Sequence, residues 1–169
     1  MEKIIVIGSP GAGKSTFSRK LRDITDLPLH YLDMLWHNAD KTTITREEFD
    51  ARLCEMLAGE RWILDGNFNR TLEMRLSACD TVFLLDYPLE VCLGGVEARI
   101  GTKREDMPWI EEEFDPEFKR YITEFPKNTL PSMYEKLEKY GKDKNIIILR
   151  SREEAEKYLE KLTNTYGNS

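Results

Sequence analysis

Cysteine and histidine are scarce in this chain of 169 residues. The three cysteines, Cys54, Cys79 and Cys92, are odd in number and widely spaced, and they include no C-x-x-C pair, which argues against a disulfide framework. His30 and His37 make no metal-ligand spacing with them, which argues against a zinc site. We interpret the cysteines as reduced thiols and expect a cytoplasmic protein.

An excess of positive charge and long apolar runs are also missing. Lys and Arg number 25 against 31 Asp and Glu, and the net charge is −6. This balance disfavours a dedicated nucleic-acid binder, which usually carries a basic patch, so we expect no direct nucleic-acid binding. No apolar run is long enough to span a bilayer, and no membrane association is expected. Since no linker or repeat divides the chain, residues 1–169 are predicted to form one domain, as a monomer or a dimer.

The most specific feature present is the segment KIIVIGSPGAGKST at residues 3–16, where an apolar strand meets a complete G-x-x-x-x-G-K-[ST] motif. Glycines in this loop let backbone N–H groups turn inward around phosphate oxygens. Lys14 is expected to reach the β- and γ-phosphates, and the Ser15 hydroxyl to bind Mg²⁺. The motif therefore predicts binding of a nucleoside triphosphate by Gly8, Ser9, Pro10, Gly11, Ala12, Gly13, Lys14, Ser15 and Thr16.

Apolar runs alternate with amphipathic segments along the rest of the chain. Strands are predicted at residues 3–7, 27–32, 62–64, 81–85 and 145–149, and helices at 15–22, 45–58, 71–78, 89–99, 131–140 and 152–163. Capping boxes at Thr45 and Ser151 mark two of the helix starts. Continuous apolar strands that alternate with helices predict an α/β fold with a parallel sheet covered on both faces. Residues 101–126, which are charged and aromatic, are predicted to be irregular.

Two carboxylates follow predicted strands, at the edge where parallel sheets bind ligands. Asp33, in HYLDMLW, is placed to orient or deprotonate an acceptor hydroxyl or to bind Mg²⁺ through water, and a helix N-cap is the alternative. Asp65 ends the run WILD in the Walker B pattern and is predicted to hold Mg²⁺, although Asp-Gly also occurs in ordinary turns. Arg70 is predicted to face the same crevice and to bind an acceptor phosphate or carboxylate, and a surface ion pair is the alternative.

The combination of GSPGAGKST, LHYLD, WILDGNFNR, FLLDYP and ILRSREEAEKYL resembles the bacterial topology modulation proteins, relatives of adenylate kinase. The resemblance covers nearly the whole chain. It implies a P-loop NTPase fold with a five-stranded parallel sheet of order 2-3-1-4-5, ATP and Mg²⁺ as ligands, and phosphoryl transfer to a small acceptor. Adenylate kinases carry D-G-F-P-R after the third strand, whereas residues 65–70 here read DGNFNR. This departure argues against a nucleoside monophosphate as the acceptor.

The resemblance also implies a short lid over ATP, at residues 101–126. Lid arginines of such kinases offset charge on the transferred group, a role that Arg99 and Arg104 fit. Relatives are expected to carry a further arginine near residues 94 and 95, where this chain has Gly94 and Gly95, and the glycines are expected to weaken the lid or loosen its helix. Arg150, after the fifth strand, is predicted to stack on the adenine.

Three functions remain open at this point. A small-molecule kinase of the shikimate or gluconate sort would use Asp33 as the base for an acceptor hydroxyl. A nucleoside monophosphate kinase would grip the acceptor phosphate with Arg70. A nucleotide-binding regulator linked to DNA topology would bind ATP without efficient turnover, an alternative that the Gly94-Gly95 pair keeps open. The sequence favours an ATP-dependent small-molecule kinase and leaves its acceptor unidentified.

Overall fold

The predicted strands form one parallel sheet in the computed structural model, which describes residues 1–167. They are β1 (Lys3–Gly8), β2 (Leu29–Tyr31), β3 (Trp62–Asp65), β4 (Thr81–Leu85) and β5 (Asn145–Leu149). The order across the sheet is β2-β3-β1-β4-β5, and each neighbouring pair is parallel. The α/β class and the strand order 2-3-1-4-5 are thereby confirmed.

Helices connect the strands and lie on both faces of the sheet. They are α1 (Lys14–Thr25), α2 (Leu32–Trp36), α3 (Arg46–Leu57), α4 (Leu72–Ala78), α5 (Leu89–Arg99), α6 (Pro116–Asn128), α7 (Leu130–Tyr140) and α8 (Arg152–Gly167). Both predicted capping boxes form their N-cap bond, since Thr45 Oγ1 accepts from Glu48 N and Ser151 Oγ accepts from Glu154 N, each at 3.1 Å. Within residues 1–167, no helix combines the length and apolarity needed to cross a bilayer.

The central strand β1 is buried on both faces because its side chains alternate between two hydrophobic cores. Ile4 and Val6 pack with apolar side chains of α1, α5 and α8. Ile5 and Ile7 pack on the opposite face with α3, α4 and α7. All four side chains are fully buried, which is why the strand reads as a continuous apolar run rather than as an alternating one.

The prediction that residues 101–126 are irregular is wrong in its second half, where α6 forms. Asp115 caps this helix by accepting from Glu117 N at 3.0 Å, and Pro116 occupies the first turn, where its missing N–H costs nothing. Ile122 and Phe125 are buried on one side of α6. The helix continues past Pro126 to Asn128. The Asp-Pro pair and the apolar spacing of Ile122 and Phe125 were the available signals.

Candidate active site

A cavity of about 1000 Å³ opens at the carboxyl ends of β1, β2 and β3. The predicted phosphate-binding loop forms one wall, and the other walls come from α2, the chain after β3, α5 and the segment 100–115 between α5 and α6. We call this last segment the lid loop. Of the residues predicted from the motif, Pro10, Gly11, Gly13, Lys14 and Ser15 line the cavity. Gly8, Ser9, Ala12 and Thr16 do not line it.

The backbone of the phosphate-binding loop depends on glycine at positions where a side chain would collide. Gly8 has φ 142°, and a Cβ there would lie 2.2 Å from the carbonyl oxygen of Leu85. Gly11 has φ 80°, and its Cβ would lie 2.1 Å from the carbonyl oxygen of Cys92 on α5. The loop is therefore held between β4 and α5, and α1 begins directly after it at Lys14.

Lys14 is the cation at the centre of this wall. Its Nζ donates to the carbonyl oxygens of Gly8 and Ser9, both at 3.1 Å. Burial lowers the pKa of Lys14, and the nearby carboxylates of Asp65 and Asp33 oppose that shift. The ammonium group lies where a triphosphate cradled by the loop would meet it.

Asp65 fits the predicted contact with Mg²⁺. Burial raises the pKa of its carboxyl to about 7, partly offset by Lys14, and Oδ2 is a buried oxygen with no hydrogen-bond partner among the described residues. Ser15 lies at the start of α1 and lines the same cavity. Residues 1–167 hold no group of three His, Cys, Asp or Glu suited to a metal, so Ser15, Asp65, water and phosphate oxygens would bind the ion.

Two residues that shape this region were missed by sequence reasoning. Asn67 ties the chain after β3 to the phosphate-binding loop: its Oδ1 accepts from Gly8 N at 3.0 Å and its Nδ2 donates to Gly8 O at 2.8 Å. Arg75 on α4 is completely buried and donates to the carbonyl oxygens of Gly66 at 2.9 Å, Asn67, and Phe68 at 3.2 Å. The sequence offered one signal for the role of Arg75, which is an arginine placed among the apolar positions of α4.

Asp33 lies in the first turn of α2 and lines the cavity. Burial raises the pKa of its carboxyl, while His37 and Lys14 lower it. The alternative N-cap role is not what the structure shows, because the N-cap of α2 is Tyr31 and no side chain caps it. Asp33 and Lys14 are therefore brought together at one cavity, as the pattern of residues after strands predicts.

The expectation that Arg70 faces the crevice is wrong. Its Nη1 and Nη2 donate to the two carboxylate oxygens of Asp50 on α3, at 2.9 and 2.7 Å, and its side chain does not line the cavity. Arg70 lies in a 3₁₀ turn over Asn69–Thr71, and its side chain is 44% exposed. The alternative of a surface ion pair is therefore the observed arrangement.

Arg150 also lies outside the cavity lining. Its Nη1 donates to Asp86 Oδ2 at 3.1 Å, and its side chain is 62% exposed. Tyr134 donates to the same oxygen of Asp86 at 2.6 Å. Stacking of Arg150 on an adenine stays a prediction.

The predicted lid arginines line the cavity together with two acidic side chains of the lid loop. Arg99 Nε lies 3.6 Å from Glu111 Oε2, Arg104 Nη2 lies 3.8 Å from the same oxygen, and Arg104 Nε lies 3.8 Å from Asp106 Oδ1. These four side chains, Arg99, Arg104, Asp106 and Glu111, are called the lid cluster below. Each has a buried polar atom without a hydrogen bond in the described part of the chain, so the pairs are held by charge alone.

Gly95 has a packing role that differs from the expected weakening of the lid. A Cβ at Gly95 would lie 2.1 Å from the carbonyl oxygen of Gly11, so glycine lets α5 approach the phosphate-binding loop. A Cβ at the adjacent Gly94 would meet no atom within 4 Å. Close contact with the phosphate-binding loop therefore explains the glycine at position 95.

Comparisons with known proteins agree with this geometry. No family model matches the chain. The adenylate kinases of Thermotoga petrophila and Thermotoga maritima are each 29% identical over 94 residues, which are 54% of this chain and 42% of theirs. The match thus spans less than half the length of these curated relatives.

Solved structures resemble the chain over nearly its whole length. A shikimate kinase from Acinetobacter baumannii in complex with shikimate aligns with TM-score 0.62 and 19% identity, covering 100% of this chain and 95% of that one. The shikimate kinase from Bacteroides thetaiotaomicron aligns with TM-score 0.55 and 16% identity, covering 96% of each chain. The fold is therefore that of the P-loop kinases. The topology modulation part of the resemblance stays a prediction.

Proposed function

We propose that this chain is an ATP-dependent kinase that transfers the γ-phosphoryl group to a hydroxyl of a small molecule, with Asp33 as the general base. One observation carries the proposal: Asp33 shares its cavity with Lys14, whereas Arg70 is paired with Asp50 outside it. A nucleoside monophosphate acceptor would call for a basic group at the position that Arg70 does not reach. The shared fold with shikimate kinases supports the same reading.

The phosphate-binding loop and Lys14 would bind the triphosphate, and Arg99 and Arg104 would offset charge on the transferred group. Mg²⁺, when bound by Ser15 and Asp65, supplies further compensation of phosphate charge. Asp33 accepts the hydroxyl proton as the acceptor oxygen attacks the γ-phosphorus, and ADP leaves. The raised pKa of Asp33, caused by burial, makes it a stronger base than an exposed carboxylate.

The proposed setting is the cytoplasm, with ATP and a small hydroxyl compound as partners and no direct contact with DNA. A regulator linked to DNA topology would bind ATP and leave every acceptor unmodified. Gly95, which is explained by packing against Gly11, no longer supports that alternative.

A coupled assay for ADP release tests the proposal across hydroxyl compounds and nucleoside monophosphates. We expect ADP release with a hydroxyl compound, and we expect Asp33→Asn to lower transfer about 10²–10⁴-fold, the usual contribution of a general base. ATP binding, measured by calorimetry, should change little. The control is Asp40→Asn, an exposed carboxylate that does not line the cavity and should leave transfer unchanged.

Three outcomes would contradict the proposal. ADP release with nucleoside monophosphates alone would identify a nucleotide acceptor. ATP binding without ADP release from any acceptor would favour a regulator. Equal loss of ATP binding and transfer in Asp33→Asn would place Asp33 at the nucleotide instead of the acceptor.

A further inference from the structure

The cavity carries an excess of negative charge that a nucleotide does not explain. Its lining includes seven acidic side chains and four basic ones, Lys14, Lys41, Arg99 and Arg104. A triphosphate adds further negative charge when it binds, even after one Mg²⁺ ion is counted with it. A site built only for nucleotide phosphates would have the opposite balance.

Most basic side chains of the cavity lining would contact phosphate groups of the nucleotide. Under the proposed function, Lys14 binds ATP, and Arg99 and Arg104 turn to the transferred group. Lys41 remains, and it is exposed, with its Nζ 6.0 Å from the ring centre of Trp109. Arg70 is held by Asp50 outside the lining. Within residues 1–167 the cavity therefore offers no buried cation to pair with an acceptor carboxylate or phosphate.

In the lid cluster, the two acidic side chains require positive charge beside them. The Asp106 and Glu111 side chains are 13% and 22% exposed, and their cationic neighbours are the two arginines at 3.6–3.8 Å. Asp106 Oδ1 and Glu111 Oε2 accept no hydrogen bond from the described residues. When Arg99 and Arg104 move to phosphate, both carboxylates lose their counter-charges while they remain largely buried. A donor cation from the acceptor would restore the balance.

Aromatic rings in the same cavity already contact cations. Arg99 Cζ lies 5.7 Å from the ring centre of Phe118, and Lys41 Nζ is positioned over Trp109. The Trp109 ring packs edge-to-face with His37, which also lines the cavity, with ring centres 5.0 Å apart. These ring faces can receive an ammonium group when the arginines are withdrawn.

We infer that the acceptor is a small amino alcohol or amino sugar, whose ammonium group pairs with Asp106 and Glu111 while its hydroxyl faces Asp33. The inference rests on the proposed kinase function and specifies its acceptor. In the reaction, a bond forms between the acceptor oxygen and the γ-phosphorus, and the bond from that phosphorus to the β–γ bridging oxygen breaks. The hydroxyl proton passes to Asp33, the bridging electron pair leaves with ADP, and the ammonium group is unchanged.

Matched acceptors that differ in charge test the inference. One set is 2-amino-1,3-propanediol, glycerol and glycerate, and a second is glucosamine, glucose and gluconate. In ADP release, kcat/KM should be about tenfold higher for the amino member than for the neutral member, as one favourable charge contact predicts, and lowest for the acid. ATP binding is measured separately by calorimetry.

Two variants connect this preference to the lid cluster. Asp106→Asn and Glu111→Gln should each reduce the ratio of kcat/KM between amino and neutral members severalfold, whatever they do to the overall rate. The matched control is Glu117→Gln, an exposed residue of α6 outside the cavity, which should keep the ratio.

The outcomes separate the two proposals. A preference for neutral or acidic members, or an amino preference that neither variant changes, overturns the inference of a positively charged acceptor. The proposed kinase function then still stands. ADP release with a wider set of uncharged or acidic alcohols, and with no amino compound, does the same. ATP binding without ADP release from any hydroxyl compound overturns both.

Discussion

The two sides of the cavity are held together by different kinds of contact. On the nucleotide side, Lys14 and Asn67 make hydrogen bonds of 2.8–3.1 Å to the phosphate-binding loop, and glycines at 8 and 11 let β4 and α5 close around it. In the lid cluster the ion pairs measure 3.6–3.8 Å and lack hydrogen bonds. Hydrogen bonds of the protein itself therefore hold the nucleotide side, whereas the charges of the lid cluster have no hydrogen-bonded partner among residues 1–167 that a ligand would have to displace.

Polar contacts attach the lid loop outside the cluster, in addition to the packing of Trp109 against His37. Gly101 N donates to Glu111 O at 2.6 Å, which closes the base of the loop. Glu105 points away from the cavity, accepts from Tyr31, and pairs with Arg22 at 3.4 Å. Exposed ion pairs of this kind contribute little stability, so the pair with Arg22 would oppose a movement of the loop only weakly.

The largest expected effect on ATP binding is on the nucleotide side, with Lys14→Ala. A charge-assisted contact to phosphate contributes about 1.5–3 kcal/mol, so ATP affinity should fall about 10–100-fold. The fold should be unaffected, because the side chain contacts loop carbonyls instead of the core. Calorimetry of ATP binding and thermal melts check both points, with Lys20→Ala on the exposed side of α1 as control. Unchanged ATP binding in a folded variant would contradict the assignment of the site.

The pH dependence of stability tests the buried position of Asp65 on the nucleotide side. Burial raises its pKa to about 7 from an ordinary value of 3.8, so between these values the folded protein holds a proton that the unfolded chain releases. The free energy of unfolding without nucleotide should therefore fall as pH rises through this window. The Asp65→Asn variant lacks this titration. From pH 4 to pH 8, its free energy of unfolding should fall by about 1–4 kcal/mol less than that of the parent protein.

Denaturant titrations of the nucleotide-free protein at both pH values measure this difference, with Asp23→Asn, exposed on α1, as control. Asp65→Asn should also shift the Mg²⁺ dependence of ATP turnover. An identical pH response in parent and variant would show that Asp65 does not carry the titration.

Substitutions of the two adjacent glycines of α5 should change the stability of the protein in opposite directions. Gly95→Ala would push a methyl group into the carbonyl of Gly11 and should destabilise the protein by about 1–3 kcal/mol, as overpacking does. Gly94→Ala faces open space and should stabilise the helix by about 0.5–1 kcal/mol. Denaturant midpoints of the two variants check the contrast, and equal effects would mean that α5 does not depend on close contact with the loop.

On the lid side, Arg104→Ala should have a smaller effect than Lys14→Ala has on the nucleotide side. Because Arg104 would contact phosphate mainly in the closed transition state, kcat should fall about tenfold while ATP affinity changes less. Steady-state kinetics beside calorimetry separate the two quantities, and Lys103→Ala, an exposed neighbour outside the cavity lining, is the control. Hydrogen exchange of residues 101–126 should slow with a non-hydrolysable ATP analogue. Slow exchange without nucleotide and no change upon its addition would identify a static cap.

Local pattern was enough to predict most of the fold and the nucleotide wall. The apolar runs and capping residues predicted the strands and most helices, because periodicity and N-cap chemistry act over a few neighbouring residues. The resemblance of the motifs to adenylate-kinase relatives predicted the strand order. The exceptions were the short helix α2 and the helix α6, and α6 formed where the charged and aromatic composition of residues 101–126 had suggested irregular chain.

The sequence by itself determined that Gly8–Ser15 forms a phosphate-binding loop after a buried strand, because its glycine conformations and helix start depend on adjacent residues. Tertiary structure alone decided that Arg70 pairs with Asp50, that Arg75 supports the chain after β3, and that Gly95 meets Gly11. These contacts join residues from different elements. A charged side chain has several possible partners along the chain, and the packing of helices on the sheet determines which of them lies within reach.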